Sequence, residues 1–143
     1  MSAKKHRLAG RKHIVMPRVV LNKNRDFTRL YSKGKYYVSP GLVTYVMKNK
    51  APSRNVNGIL LRKAVRVGIT TSKKIGGAVQ RNRSRRVISA AYRELAGELT
   101  PGWDIVFVAR SRTCHMKSTE IKKSMREHLR SAGVLARPTA ENQ

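Results

Sequence analysis

Acidic side chains are scarce in this chain: Asp and Glu number 7 among 143 residues, against 32 Lys and Arg, for a formal charge of +25. The acids are Asp26, Glu94, Glu98, Asp104, Glu120, Glu127 and Glu141, and they show no pair or cluster at metal-ligand spacing. A protein-based two-metal phosphodiesterase site needs several converging oxygen ligands, so none is evident. The histidines are scattered as well. His6 and His13 sit in a basic N-terminal stretch, His115 in a predicted loop and His128 on a predicted helix, and they read as ordinary surface residues rather than as a general acid and base pair. Cys114 is the one cysteine, which excludes an intramolecular disulfide and fits a reducing compartment. Long apolar runs are missing too: in the first twenty residues the longest is Ile14-Val15-Met16, too short for a signal-peptide core or a membrane span. The expected location is therefore the cytoplasm. With a single Trp in the chain there is little to insert into a bilayer, which disfavours a cationic membrane-active protein.

What is abundant is positive charge, far beyond the needs of solubility, and a polyanionic partner is the economical explanation. Self-repulsion at this charge penalises the compact state at low salt unless counterions or nucleic acid neutralise it. The 40% hydrophobic content is nevertheless enough for one modest core, and the length fits one domain.

Along the chain, residues 1–18 form a basic arm with little periodicity, closed by Pro17; folding on RNA and simple fraying are both open for it. Phe27, Leu30 and Tyr31 fall at helical spacing within Arg25 to Lys33, and Gly34 is a natural stop. Leu42 to Met47 reads as a strand with Val43, Tyr45 and Met47 on one face. Lys48 to Ala64, with Pro52, Asn55, Asn57 and Gly58, is a hairpin-like excursion, and Arg66 to Thr71 alternates as a further strand. Pro101-Gly102 turns the chain into a nearly continuous apolar strand, Asp104 to Ala109, expected to be central. Ser118 or Thr119 is placed to cap a last helix with Ile121, Met125 and Leu129 as its core stripe and Gly133 as its stop. Residues 136–143 read as a disordered tail. The order helix, strand, strand, strand, helix, strand, helix predicts an α+β sandwich, one sheet with helices packed on a face.

Between the last two strands lies the most informative segment, in which the Gly76-Gly77 hinge leads into a helix with two distinct sides. Ile88, Ala91, Tyr92 and Leu95 make a stripe fit for burial, while Asn82, Arg86, Ser89 and Arg93 share another face flanked by Arg85. Arg81 and Arg83 stand in the first turn, where unpaired backbone N–H groups also favour an anion. Guanidinium forks grip phosphate bidentately and stack on bases, so arginine here points to structured RNA. A solvated basic face is the bland alternative; the paired glycines, the Asn among arginines and the clean apolar stripe favour the functional one.

Ser72-Lys73-Lys74-Ile75-Gly76-Gly77-Ala78-Val79 followed by Arg81-Asn82-Arg83-Ser84-Arg85-Arg86 closely resembles the signature of the bacterial ribonuclease P protein subunit. The resemblance extends from about residue 20 to about residue 135, through Arg25-Asp26-Phe27 to Lys33-Gly34, Leu42 to Asn49, Arg66-Val67-Gly68-Ile69 and Trp103-Asp104-Ile105-Val106. It implies a ribonuclease P protein domain over 19–135, a central mixed β-sheet with helices packed on it as in the second domain of ribosomal protein S5. It also implies a left-handed βαβ crossover through the basic helix, against the general right-handed preference. The implied function is support of an RNA enzyme that hydrolytically removes the 5′ leader of precursor transfer RNA, with Mg2+ held mainly by the RNA subunit and one monomeric protein per RNA. On the same resemblance Lys73, Lys74, Arg81, Asn82, Arg83, Arg85, Arg86 and Arg93 match or border the catalytic-RNA-binding motif, and Phe27, Tyr31 and Tyr45 match the aromatic leader-binding positions. By spacing alone the three aromatics could equally be core. The chain departs from the family pattern at Ser89 and Ala90, where an arginine and an acidic residue are common. A structural, ribosomal-type RNA-binding protein is the alternative, distinguished by having no effect on precursor cleavage.

Overall fold

The computed structural model describes residues 18–21, 23–49, 54–56, 59–61 and 65–135. Of the expected arm only Arg18 falls among these, as the first residue of a strand; the rest of the arm and the tail over 136–143 lie outside them.

Among the described residues seven strands and three α-helices follow in the order β1 (Arg18–Val20), α1 (Asn24–Lys33), β2 (Lys35–Ser39), β3 (Leu42–Lys48), β4 (Arg54–Val56), β5 (Ile59–Leu61), β6 (Val65–Thr70), α2 (Ala78–Leu95), β7 (Trp103–Ala109) and α3 (Ser118–Ala132). Five strands make one mixed sheet, β1-β6-β7-β3-β2, while β4 and β5 pair as a separate antiparallel hairpin. That hairpin is the described part of the expected excursion. β7 is the middle strand, parallel to β6 and antiparallel to β3, so β6, α2 and β7 form a βαβ unit.

Two strands were not expected. β2 is a five-residue run between Gly34 and the Pro40-Gly41 turn, and β1 adds to the far edge, parallel to β6. Edge strands are short and half-solvated, so their alternation is weak in sequence.

Alternation along the strands splits the side chains cleanly. Leu42, Val46, Val65, Val67, Ile105 and Phe107 are buried in one core with Ile88, Ala91, Tyr92 and Leu95 of α2 and Ile121, Met125 and Leu129 of α3. The expected stripes on both helices are thus the buried ones, and truncating any of these large side chains to Ala would cost about 2–5 kcal/mol. On the other face Val106 packs with Leu21 and Leu30, joined by Phe27, Tyr45, Met47 and Val108. Helices therefore cover both faces of the sheet, not one, because Val106, Val108 and Tyr45 make its second face apolar as well.

The helix ends differ in mechanism. Gly133 closes α3 in the left-handed region (φ 83°), its N–H donating to the Arg130 carbonyl while Val134 N–H reaches that of Leu129. Gly34 ends α1 in extended backbone (φ −77°), and its role is space: a Cβ there would come 2.9 Å from the Val46 carbonyl oxygen. At the start of α3 the N-cap is Lys117 rather than Ser118 or Thr119, its N–H donating to the Glu120 carboxylate at 2.9 Å.

Candidate nucleic-acid interface

The basic helix is set by its hinge. Lys73–Ile75 form a single 3-10 turn in which Ile75 is buried and both lysines are exposed. Gly76 then adopts φ 138°, a conformation that disfavours any side chain, and Gly77 starts the helix with its N–H donated to Gln80 Oε1 at 3.0 Å. One of the first-turn donors expected to face an anion is thus already taken.

Three of the motif arginines are tied to the scaffold. Arg81 donates to the Gly76 carbonyl at 2.8 Å, Arg83 Nε–H to the Cys114 carbonyl at 2.6 Å, and Arg85 to the Ile69 carbonyl and Thr71 Oγ1, both at 3.1 Å. Each guanidinium keeps further donors, since five N–H groups exceed these contacts. Asn82, Arg85, Arg86, Ser89, Ala90 and Arg93 line one groove of about 590 Å³ on the exposed side of α2. The convergence read from the helical wheel is therefore real for Asn82, Arg85, Arg86 and Arg93, with Ser89 in the middle; Arg83 instead lines a neighbouring groove with Arg86 and the start of α3.

A second surface lies across the sheet. Phe27 and Tyr31 project from α1 towards Tyr45 on β3, with ring centroids 6.3 Å apart for Phe27–Tyr31 and 4.9 Å, nearly edge-on, for Tyr31–Tyr45. Sequence reasoning missed Tyr36, which pairs with Tyr45 across β2–β3 at 5.7 Å and is 63% exposed. The period-2 placement of Tyr36 and Val38 after Gly34 was the available signal. Gly68 makes room for the helix: a Cβ there would lie 2.9 Å from the Phe27 ring. Tyr31 is 44% exposed and Phe27 and Tyr45 are half-buried, so the aromatics are neither wholly core nor wholly open.

These two surfaces meet at the end of β6. Arg85 holds Ile69 and Thr71 from the α2 side, and the Tyr31 hydroxyl donates to Thr70 Oγ1 at 3.4 Å from the α1 side.

Folding also assembles a charge network that the spacing in sequence does not show. Arg66 on β6 grips Asp104 on β7 through two hydrogen bonds of 2.8 and 2.6 Å, and Asp104 is 1% exposed. Arg29 and Asp26 of α1 complete the ring, with Arg29–Asp104 at 3.6 Å and Arg66–Asp26 at 3.6 Å, while Asn49 donates to Asp104 at 3.2 Å. The hydrogen bond to Asp104 chiefly raises the Arg66 pKa, with burial opposing it. Two carboxylates do come together, then, but both are neutralised by guanidiniums, and among the described residues no group of three or more His, Cys, Asp and Glu is placed to hold a metal. His128 is likewise not a surface residue. It is 6% exposed, its Nδ1 lies 2.8 Å from Thr44 Oγ1, and burial lowers its pKa, with Glu127 pulling the other way.

Residues 16–133 match the family model described as Ribonuclease P. The ribonuclease P protein component of Clostridium novyi is 39% identical over 114 residues, covering 80% of this chain and 93% of that protein. Its counterpart in Clostridioides difficile is 36% identical over 115 residues, covering 80% and 91%. A solved structure of the Staphylococcus aureus RNase P protein aligns with TM-score 0.65 at 31% identity, covering 81% of this chain and 96% of that one.

Proposed function

This chain belongs to the ribonuclease P protein family, and on that premise we propose that it acts as the protein subunit of a ribonucleoprotein endoribonuclease that removes the 5′ leader of precursor transfer RNA. The α2 groove, with Lys73 and Lys74 at its hinge, binds the catalytic RNA, and the cleft of Phe27, Tyr31, Tyr36 and Tyr45 takes the leader. Stacking suits a single strand of variable sequence because every base has a π-face. The observation that carries this reading is the junction at Ile69–Thr71, where one strand end anchors both the basic helix and the aromatic cleft. A protein built so can hold catalytic RNA and leader in a fixed relation, and positioning of that kind is its contribution to the reaction.

The donor set argues for a division of labour. Asp26 and Asp104 are committed to Arg29 and Arg66, a pairing that suits a cation site poorly, so magnesium belongs with the RNA subunit. A cytoplasmic protein, monomeric and one per RNA, with a left-handed β6–α2–β7 crossover, completes the proposal.

The test is cleavage of a precursor transfer RNA by a bacterial ribonuclease P RNA at low magnesium, with and without the protein. Stimulated cleavage at the mature 5′ end is expected. Tight RNA binding without stimulation would instead assign a structural RNA-binding role.

A further inference from the structure

Beyond these two surfaces, a third groove of about 300 Å³ is lined by Lys33, Lys35, Val46, Met47, Lys48, Trp103 and Ala132. It lies at the end of the sheet on the face that α3 covers: Lys35 pairs with Val46 and Lys48 with Trp103 across neighbouring strands, and Val46, Trp103 and Ala132 belong to the α2–α3 core. Lys33 reaches it from the end of α1, on the side of the buried Leu30 away from Phe27 and Tyr31. Of its β3 lining, Met47 alone lies on the α1 face, which also carries Tyr45.

Its chemistry is one-sided. Lys33, Lys35 and Lys48 are exposed, and among the described residues none of them is paired with a carboxylate; the Lys48 ammonium lies 5.7 Å from the centre of the Trp103 ring instead. The indole is fixed by donating Nε1–H to Thr100 Oγ1 at 3.1 Å. A rigid flat ring and three compact point charges are the elements that take a base with its phosphates. The volume sits at the lower end for small-ligand sites, enough for one nucleotide and not for a duplex.

We propose that this groove binds one nucleotide unit of single-stranded RNA, the base against Trp103 and the flanking phosphates on Lys33, Lys35 and Lys48. Phosphate draws the Lys48 ammonium off the indole face and the base takes its place. The proposal rests on the RNA-binding reading above but not on where the leader lies.

Trp103 is the one tryptophan of the chain, so its emission reports this site directly. Titrating the full chain with a short oligoadenylate should give saturable quenching. Lys33→Ala/Lys35→Ala, which leaves the Lys48–indole contact intact, should weaken the quenching at least fivefold, and Arg112→Ala/Lys123→Ala, an equal loss of charge at exposed positions outside the three grooves, should leave it unchanged. Absent quenching, or quenching indifferent to the lysine changes, overturns the proposal. Equal responses to inorganic phosphate or to polyglutamate at matched ionic strength overturn it too, the latter in favour of an acidic protein partner. Wild-type stimulation of precursor cleavage without a Trp103 response sinks the groove alone, whereas loss of both sinks the RNA-processing reading.

Discussion

Replacing Arg86 and Arg93 together by Ala removes charge from the α2 groove with little effect on the fold. Both side chains are exposed and line the groove, and neither is hydrogen-bonded or ion-paired within the protein among the described residues. Arg81, Arg83 and Arg85 differ, because each also holds the hinge, the Cys114 turn or the end of β6. Stability should therefore stay within about 0.5 kcal/mol of wild type. If each guanidinium neutralises one RNA phosphate, the slope of log affinity against log salt falls by about 0.7–0.9 per contact, or about 1.4–1.8 for the pair. Between about 50 and about 200 mM salt that difference amounts to about one power of ten, so the deficit of the variant is largest at low salt and shrinks as salt rises. The assay is anisotropy of a labelled catalytic RNA titrated at several salt concentrations. Lysines at both positions should restore the slope while leaving affinity below wild type, since an ammonium cannot make the bidentate contact. Parallel salt plots for wild type and the alanine variant would refute the phosphate assignment.

Three further outcomes are expected. Asp104→Asn removes the carboxylate that Arg66 grips bidentately and leaves it only Asp26 at 3.6 Å, and should cost about 3 kcal/mol in urea unfolding, the low end for a broken buried pair because Arg66 is partly exposed; a loss below about 1 kcal/mol would make the network incidental. Tyr36→Ala, on an exposed edge strand, should lower affinity for precursor relative to mature transfer RNA by roughly tenfold, within about 1–3 kcal/mol for one stacked base, and equal losses for both RNAs would exclude a leader contact. Burial keeps the folded His128 pKa below that of the unfolded chain, about 6.5, so its stabilising contribution is complete above that pH and is lost as pH falls through the folded value. The thermal midpoint should therefore drop more steeply below about pH 6.5 in wild type than in His128→Gln, and identical pH profiles would remove His128 from the account.

Periodicity and punctuation made much of this molecule legible from sequence. The stripe Ile88, Ala91, Tyr92 and Leu95 predicted which side of α2 is buried, because burial of one face of an isolated helix is a local property of spacing. The split of β3 into Val43, Tyr45 and Met47 against Leu42, Thr44 and Val46 followed for the same reason, as did the central position of the apolar β7. The basic face of α2 was likewise local, and the structure gathers Asn82, Arg85, Arg86 and Arg93 around one groove. By itself the sequence thus determined the charge, the three helices and the inner strands, the buried sides of α2 and α3 and the family signature, but not the edge strands β1 and β2 or the second covered face of the sheet.

Tertiary structure decided everything that depends on residues distant in the chain. Asp26 and Asp104 become neighbours only because α1 crosses the sheet above β6 and β7, and His128 is buried only because α3 lays it on Thr44. Tyr36 joins the cleft through the β2–β3 register, and Arg81, Arg83 and Arg85 acquire scaffold partners that no helical wheel contains. A wheel or an alternation pattern describes which side of an element prefers water. Which elements meet on the other side, and which charges they bring within reach, is set by packing across separations of many residues, where sequence spacing carries no distance.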